Sequence, residues 1–234
     1  MGFMHHPFPM QIFRAYDIRG KVSLLNVSMV NAIAHGLAQQ YQSAGQTRVA
    51  IGYDARLSSP TYAHIIQRTL SLYAIEAHII GCCSSPMLYY TSREFDGNGI
   101  MITASHNPRE DNGIKWLINN QPPCPEMIQA VGQEAQKYYS DELQQVDWIE
   151  HEIIPEYCLK YQQSILNDIQ LKRRYRVVLD GLNGSAGRCA ALVLNKLGCD
   201  LTTIRTEANG HFPDHAPDPS QEAHLQLLKA KVLE

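Results

Sequence analysis

Short apolar runs alternate along this chain with stretches whose apolar residues recur every three or four positions. Val30, Ile33, Ala34, Leu37, Ala38 and Tyr41 keep that spacing, which predicts an amphipathic helix with Asn26 as N-cap and Gly45 ending it. Residues 47–53 then read as a buried strand. Ser59 as N-cap and Pro60 at the first helical position open a second helix, with Ile65, Ile66, Leu70 and Tyr73 as its inward face. A strand at 77–81, a short helix opened by Pro86 and a strand at 99–103 follow. Ahead of all these, residues 13–20 alternate apolar with polar and end in Gly20, so a short extended segment should enter a turn there, with Arg14 and Arg19 projecting from it.

The rhythm loosens after Lys115. Pro122, Pro123 and Pro125 break the chain before a polar helix at about 126–139, and 141–155 reads as an edge element followed by a linker. Charge and proline concentrate there, which places a boundary near residue 150 and divides the chain into units 1–150 and 151–234. Beyond it come a helix from 155 towards 169, a strand at 175–180, and a turn bearing Gly181, Gly184 and Gly187 that opens a helix through Leu197. A strand at 199–205, a proline-rich loop at 209–219 and a helix from 220 onward complete the pattern. Strands and helices in alternation indicate an α/β layered architecture, in which sites collect in loops beyond the strand ends.

Composition narrows the choice of partners. With 234 residues, 44% hydrophobic and 18% charged, the chain can bury a sizeable core. A net charge of -3 without any dense basic run argues against nucleic acid as a partner. No run is long enough to span a bilayer and no basic region precedes an apolar stretch at the N-terminus, so neither membrane insertion nor export is expected. The six cysteines form no Cys-x-x-Cys or Cys/His cluster, a usage that suits reduced thiols in a cytoplasm. His5-His6 near the terminus reads as incidental.

Candidate chemistry centres on Thr103-Ala104-Ser105-His106-Asn107-Pro108, a loop expected at the end of a buried strand. The Ser105 hydroxyl, the His106 imidazole and the Lys115 ammonium lie within about a dozen residues, a set suited to acyl or phosphoryl transfer with charge to be neutralised. An ordinary polar turn capping a strand is the simpler alternative. A serine hydrolase is a further one, but the Gly-x-Ser-x-Gly elbow and an evident third member are missing. Arg14 and Arg19 could hold phosphate oxygens through their planar guanidinium forks, or simply pair with Asp17. The turn after residue 180 could cradle phosphate on its amides, though it matches neither the P-loop nor the dinucleotide fingerprint. His211 and His215 with Asp214 and Asp218 could suggest a metal set, but the prolines forbid a helix there and a structural loop is the better reading.

Four stretches in this order and at these spacings carry a family resemblance: Phe13-Arg14-Ala15-Tyr16-Asp17-Ile18-Arg19-Gly20, Gly52-Tyr53-Asp54-Ala55-Arg56-Leu57-Ser58, the Ser105 loop, and Asp180-Gly181-Leu182-Asn183-Gly184. The chain from about Phe8 onward resembles the α-D-phosphohexomutase family, and within it the bacterial phosphomannomutase/phosphoglucomutase group. The resemblance implies three-layer α/β/α domains with a mixed sheet, one complete (1–150) and part of a second (151–234). It implies an intramolecular phosphotransferase that interconverts hexose 1-phosphate and hexose 6-phosphate through a phosphoserine and a 1,6-bisphosphate. Ser105 would carry the phosphoryl group, Arg19 would hold phosphate beside it, and His106 and Lys115 would polarise or transfer protons. Tyr16 would help shape the entrance, and Asp54, Arg56, Ser58 and Asn107 would support the serine loop. The family binds Mg²⁺ through an Asp-Gly-Asp-Gly-Asp loop together with the phosphoserine; that loop does not occur in this sequence, so Ser105 is the single metal ligand to nominate. The chain alone is therefore expected to be inactive or nearly so, and a truncated, non-catalytic binder of a sugar phosphate or a partner is the alternative. Hexose 1,6-bisphosphate is the expected activator, the choice among mannose, glucose and amino sugars stays open, and so does the oligomeric state.

Overall fold

A computed structural model describes residues 8–140, 149–150 and 154–234. The first unit runs β1 (Ile18–Lys21), α1 (Val27–Ser43), β2 (Arg48–Tyr53), α2 (Ser59–Ser71), β3 (Glu76–Cys82), α3 (Ser85–Thr91), β4 (Gly99–Ile102), β5 (Asp111–Leu117) and α4 (Pro125–Tyr138). The second contributes α5 (Pro155–Asp168), β6 (Arg176–Asp180), α6 (Gly187–Lys196), β7 (Asp200–Ile204) and α7 (Gln226–Leu233).

Period-two alternation explains the layering. On β2 and β4, Val49, Ile51, Tyr53, Ile100 and Ile102 enter the large core with α1, α2 and α4, while Ala50 and Met101 enter a smaller core under α3. The sheet order is β1-β5-β4-β2-β3, with β4, β2 and β3 parallel and β5 antiparallel to both β4 and β1. It is the expected mixed sheet between helical layers. All six apolar positions named on α1 are buried, and the Asn26 side chain accepts from the Met29 amide at 2.9 Å, satisfying one of the donors a helix start leaves open. Gly36 lets α4 approach closely: a Cβ there would stand 2.8 Å from the Val131 carbonyl oxygen.

Several expectations need correction. β5 has no counterpart in the pattern reading, because it opens with Asp111, the fully buried polar Asn112 and Gly113. The helix after β2 starts at Ser59 with Ser58 in the cap position and no side-chain cap, since the Ser59 hydroxyl donates to Asp54 instead. Tyr73 lies beyond the end of that helix and hydrogen-bonds His35 at 2.7 Å. Of the extended segment expected over 13–20, the strand begins at Ile18, and Phe13 pairs back with Ile18 in an antiparallel bridge across a turn. The final helix starts at Gln226, after a 3-10 turn at Glu222–Leu225. Most of the element expected at 141–155, and His5-His6, lie outside the described residues.

In the second unit β6 and β7 pair in parallel, with α5 against α6. Tyr157, Cys158 and Tyr161 of α5 pack on the smaller core of the first unit, so the two units share apolar contact beneath α3.

Candidate functional site

The Ser105 loop connects β4 to β5, and one buried side chain fixes its shape. Arg56, 1% exposed, donates from Nη2 to the carbonyls of Ser105 at 2.9 Å and Asn107 at 2.8 Å, and from Nη1 to those of Pro108 at 2.6 Å and Asp111 at 2.9 Å. Its Nε donates to Asp54 Oδ2 at 3.1 Å, while Asp54 Oδ1 accepts from the Arg56 amide and the Ser59 hydroxyl. Asn112 completes the layer by donating to Ser58 at 2.7 Å and Ser59 at 3.0 Å. Asp54, Arg56 and Ser58 are thus brought together beneath the loop. Five donors in a planar fork allow this clasp, which an ammonium could not reproduce.

Ser105 itself is exposed and has φ +56°. A left-handed conformation costs a non-glycine residue roughly 1–2 kcal/mol. The Thr103 hydroxyl accepts from the Ser105 amide at 2.9 Å, and Arg56 holds the carbonyl, so both flanking peptides are pinned. The hydroxyl projects next to His106, Oγ to Nδ1 3.4 Å. Cations stand on the neighbouring strands: Arg19 of β1 donates to Asn107 Oδ1 at 3.0 Å and pairs with the buried Asp17, which lies 3.8 Å from the Lys115 ammonium of β5. Arg19 Nε is buried and has no hydrogen-bond partner among the described residues, so this guanidinium retains a free donor. Tyr16 is 87% exposed at the edge of this cluster.

A cleft of about 340 Å³ lies over Ser105 and His106, and its far wall comes from the second unit: the turn from Gly181 to Ala186, with Phe212, Pro217 and Pro219. The sequence pattern marks 209–219 as a structural loop and leaves the turn after residue 180 as a possible phosphate cradle, but brings neither to the serine. Docking of the loop is a matter of tertiary contact: a Cβ on Gly210 would stand 2.4 Å from the Ala55 carbonyl oxygen, and the Phe212 ring lies 5.7 Å from the Arg56 guanidinium carbon. Ser84 and Ser85 at the start of α3 also line the cleft and gave no sequence signal beyond a helix start. The amides of Gly181, Leu182, Asn183 and Gly184 all donate within the protein, which removes those four as a phosphate cradle. His215 is engaged at both ring nitrogens, with Arg205 at 2.5 Å and the Ala216 carbonyl at 2.8 Å, so it is a structural residue and not a metal ligand.

Family models match both units. Residues 10–142 match phosphoglucomutase/phosphomannomutase alpha/beta/alpha domain I, and residues 155–234 match alpha/beta/alpha domain II. The chain belongs to the phosphoglucomutase/phosphomannomutase family. A phosphomannomutase/phosphoglucomutase of Pseudomonas aeruginosa is 34% identical over 227 residues, covering 96% of this chain and 48% of the relative. A phosphoglucomutase of Neisseria meningitidis is 36% identical over 224 residues, covering 94% and 48%. A phosphoglucomutase/phosphomannomutase family protein from Burkholderia thailandensis superposes with TM-score 0.83 at 26% identity, over 95% of this chain and 50% of that one. The chain spans about half the length of the curated relatives it matches.

For a phosphoglucomutase/phosphomannomutase family chain, the carboxylates near the serine are already committed. Both Asp54 oxygens accept protein hydrogen bonds. Asp218, whose carboxyl Ser220 chiefly and His106 in part hold below the usual range, accepts from Ser220 and Gln221. Among the described residues no group of three or more His, Cys, Asp or Glu side chains converges to hold a metal ion. The donor set around Ser105 therefore does not fit Mg²⁺ as it stands. Nor is any helix of the described residues long and apolar enough to cross a membrane.

Proposed function

We propose that this chain carries the phosphoryl-transfer serine of a phosphohexomutase, an enzyme that interconverts hexose 1-phosphate and hexose 6-phosphate in the cytoplasm. The observation that carries the reading is the Ser105 loop itself: an exposed hydroxyl on strained, clasped backbone, beside an imidazole and two cations of which Arg19 keeps a free donor. A phosphate group on the serine or on the sugar would draw Arg19 Nε and the Lys115 ammonium to its oxygens. In the forward direction the phosphoserine gives its phosphoryl group to the free 6-hydroxyl of a hexose 1-phosphate. The bond from phosphorus to Ser105 Oγ breaks and the bond to the sugar oxygen forms; the sugar hydroxyl gives up its proton and Oγ takes one up. His106, with Nδ1 3.4 Å from Oγ, is the group of this chain assigned to protonate Oγ as it leaves and to take that proton back when Oγ attacks the bisphosphate. The resulting 1,6-bisphosphate turns over, and Ser105 Oγ takes the phosphoryl group from position 1, leaving hexose 6-phosphate.

Little covalent work falls to the protein in such a transfer; positioning and charge supply the rate. Mg²⁺ and a hexose 1,6-bisphosphate activator belong to the proposal for the whole reaction, while the steps assigned to this chain use its own side chains. The chain alone should turn over glucose 1-phosphate negligibly. Peptide mapping after incubation with hexose 1,6-bisphosphate, and of protein taken directly from cells, tests the reading. Phosphate on Ser105, lost in Ser105→Ala, is the expected result. Phosphate on another residue instead, or none in either preparation, overturns Ser105 as the carrier.

A further inference from the structure

The far wall of the serine cleft is held by a guanidinium of its own. Arg205 follows β7 and has φ +48°, a left-handed conformation that a residue with a side chain keeps only when its surroundings hold it. Here Asp180, at the end of β6, does so: Arg205 Nε donates to its Oδ1 at 3.0 Å and Nη2 pairs with its Oδ2. Nη1 turns to the proline-rich loop, 2.5 Å from His215 Nε2 and 3.4 Å from Asp214 Oδ2. The His215 ring lies flat on that of His224, with centroids 3.9 Å apart and planes within 5°. Each ring reaches a loop carbonyl through Nδ1, that of Ala216 at 2.8 Å from His215 and that of Asp218 at 2.7 Å from His224. Those two residues bracket Pro217, which with Pro219 faces Ser105 and His106 across the cleft.

We propose that Arg205 and His215 are positioning residues for this wall, and that one proton on His215 releases it. A guanidinium only donates, so His215 Nε2 accepts from Arg205. A carbonyl only accepts, so the proton of the ring sits on Nδ1. The contact therefore admits one form of His215, the neutral imidazole with Nε2 bare. A second proton would have to enter at Nε2, against the Arg205 N–H, and would make a cation of a ring stacked on His224. Among the described residues no acid near the stack is left over to offset it. Both Asp180 oxygens serve Arg205, and Asp214 faces the same guanidinium. Asp218 accepts from Ser220 and Gln221, and Glu222, beside His224 in sequence, takes Lys229 at 2.6 Å. His106, the titratable group of the first unit that acts on Asp218, brings no negative charge. His224 differs from His215, because its Nε2 has no hydrogen-bond partner among the described residues and a proton there breaks no contact.

The closed wall excludes the proton and the open wall admits it. The latch is therefore complete above the ordinary imidazole value of about 6.5 and is released as pH falls below it. Between pH 7.5 and 5.5, an open form that titrates at that value gains about tenfold over a closed form that takes no proton. Arg205 thus does for the far wall what Arg56 does for the serine loop, except that one of its partners titrates. The latch stands on the contacts of the wall and holds whether or not Ser105 carries phosphate.

Hydrogen exchange of the wild-type chain tests the proposal without relying on a variant. Asp218 donates its amide to the Ala216 carbonyl at 2.8 Å, and Ser220 donates its amide to Asp218 Oδ1 at 3.0 Å. Asp54 and Thr103 donate theirs within the first unit and serve as the reference. After correction for intrinsic rates, protection of the Asp218 and Ser220 amides should fall between pH 7.5 and 5.5 about tenfold more than protection of the reference amides. In His215→Gln, whose Oε1 accepts from Arg205 but does not titrate, that excess should vanish. Nitrogen-15 spectra of the wild-type histidines at pH 7.5 should show the His215 proton on Nδ1. A wild-type excess below about threefold, an excess of the same size in His215→Gln, or a His215 proton on Nε2 would each overturn the proposal.

Discussion

Replacing Arg56 by Met removes the clasp of the serine loop while keeping a side chain of similar length. Five hydrogen bonds from the guanidinium are lost, four to the carbonyls of Ser105, Asn107, Pro108 and Asp111 and one to Asp54. At about 1.5–3 kcal/mol for each bond to a charged group, a simple sum would approach the entire stability of a domain, about 5–15 kcal/mol. The sum overshoots. Ser105, Pro108 and Arg109 are exposed, so their loop can turn its released carbonyls to water. What cannot relax is Asp54, 8% exposed, left with a carboxylate that has lost its cation. Breaking one side of a buried pair costs about 3–5 kcal/mol, and that is the loss expected for Arg56→Met. Arg56→Lys keeps the charge but not the fork and should fall between the two. Urea unfolding followed by tryptophan fluorescence measures the loss, and trypsin cleavage at Arg109 reports the loop separately. A decrease below about 1 kcal/mol with the loop still protected would refute the clasp as the element that shapes the site.

Ser105→Gly should be more stable than Ser105→Ala by about 1 kcal/mol, since both lose the hydroxyl but only glycine is at ease at φ +56°; equal midpoints in urea would deny the strain. Gly36→Ala should lose about 1–2 kcal/mol despite alanine's higher helix propensity, because its Cβ meets the Val131 carbonyl oxygen at 2.8 Å; a gain in melting temperature would show that α1 and α4 part freely. His35 stacks on Tyr138 with ring centroids 4.0 Å apart, and burial lowers its pKa against the opposing field of Glu134. The unfolded chain therefore takes the proton first: the His35 contribution is complete above its unfolded pKa of about 6.5 and is lost as pH falls towards the lower folded value. The wild type should lose more melting temperature between about pH 7.5 and 5.5 than His35→Phe does, and parallel losses would contradict this.

What could be read along the chain is what local pattern controls. α1 was legible because its apolar positions repeat with the helix period and Asn26 caps it, and both facts concern neighbours in sequence. β5 was not, because Asn112 is buried for reasons that lie more than fifty residues away, in its hydrogen bonds to Ser58 and Ser59. Ser59 was misread as a cap for the same reason: its hydroxyl serves Asp54. Arg56 carries no local mark of a residue destined to be 1% exposed, and only the family resemblance placed it beside the serine. The cleft wall formed by Phe212, Pro217 and Pro219 was out of reach altogether, since a proline-rich loop announces rigidity but not the surface it meets.

The strain at Ser105 and the burial of Arg56 are two sides of one arrangement. Left to local preference, a serine in this loop would leave the left-handed region and recover roughly 1–2 kcal/mol. Doing so would turn the Ser105 carbonyl away from Arg56 and the amide away from Thr103, surrendering one charge-assisted and one neutral hydrogen bond. Those are together worth about 2–4 kcal/mol, so the clasp prevails. Arg56 is in turn covered on its other side by Phe212, at 5.7 Å, which reaches it from the second unit. The direction of the Ser105 hydroxyl is therefore set by residues from the loop after β2, from β5 and from the loop after β7 acting on one guanidinium, and no segment of the chain determines it alone.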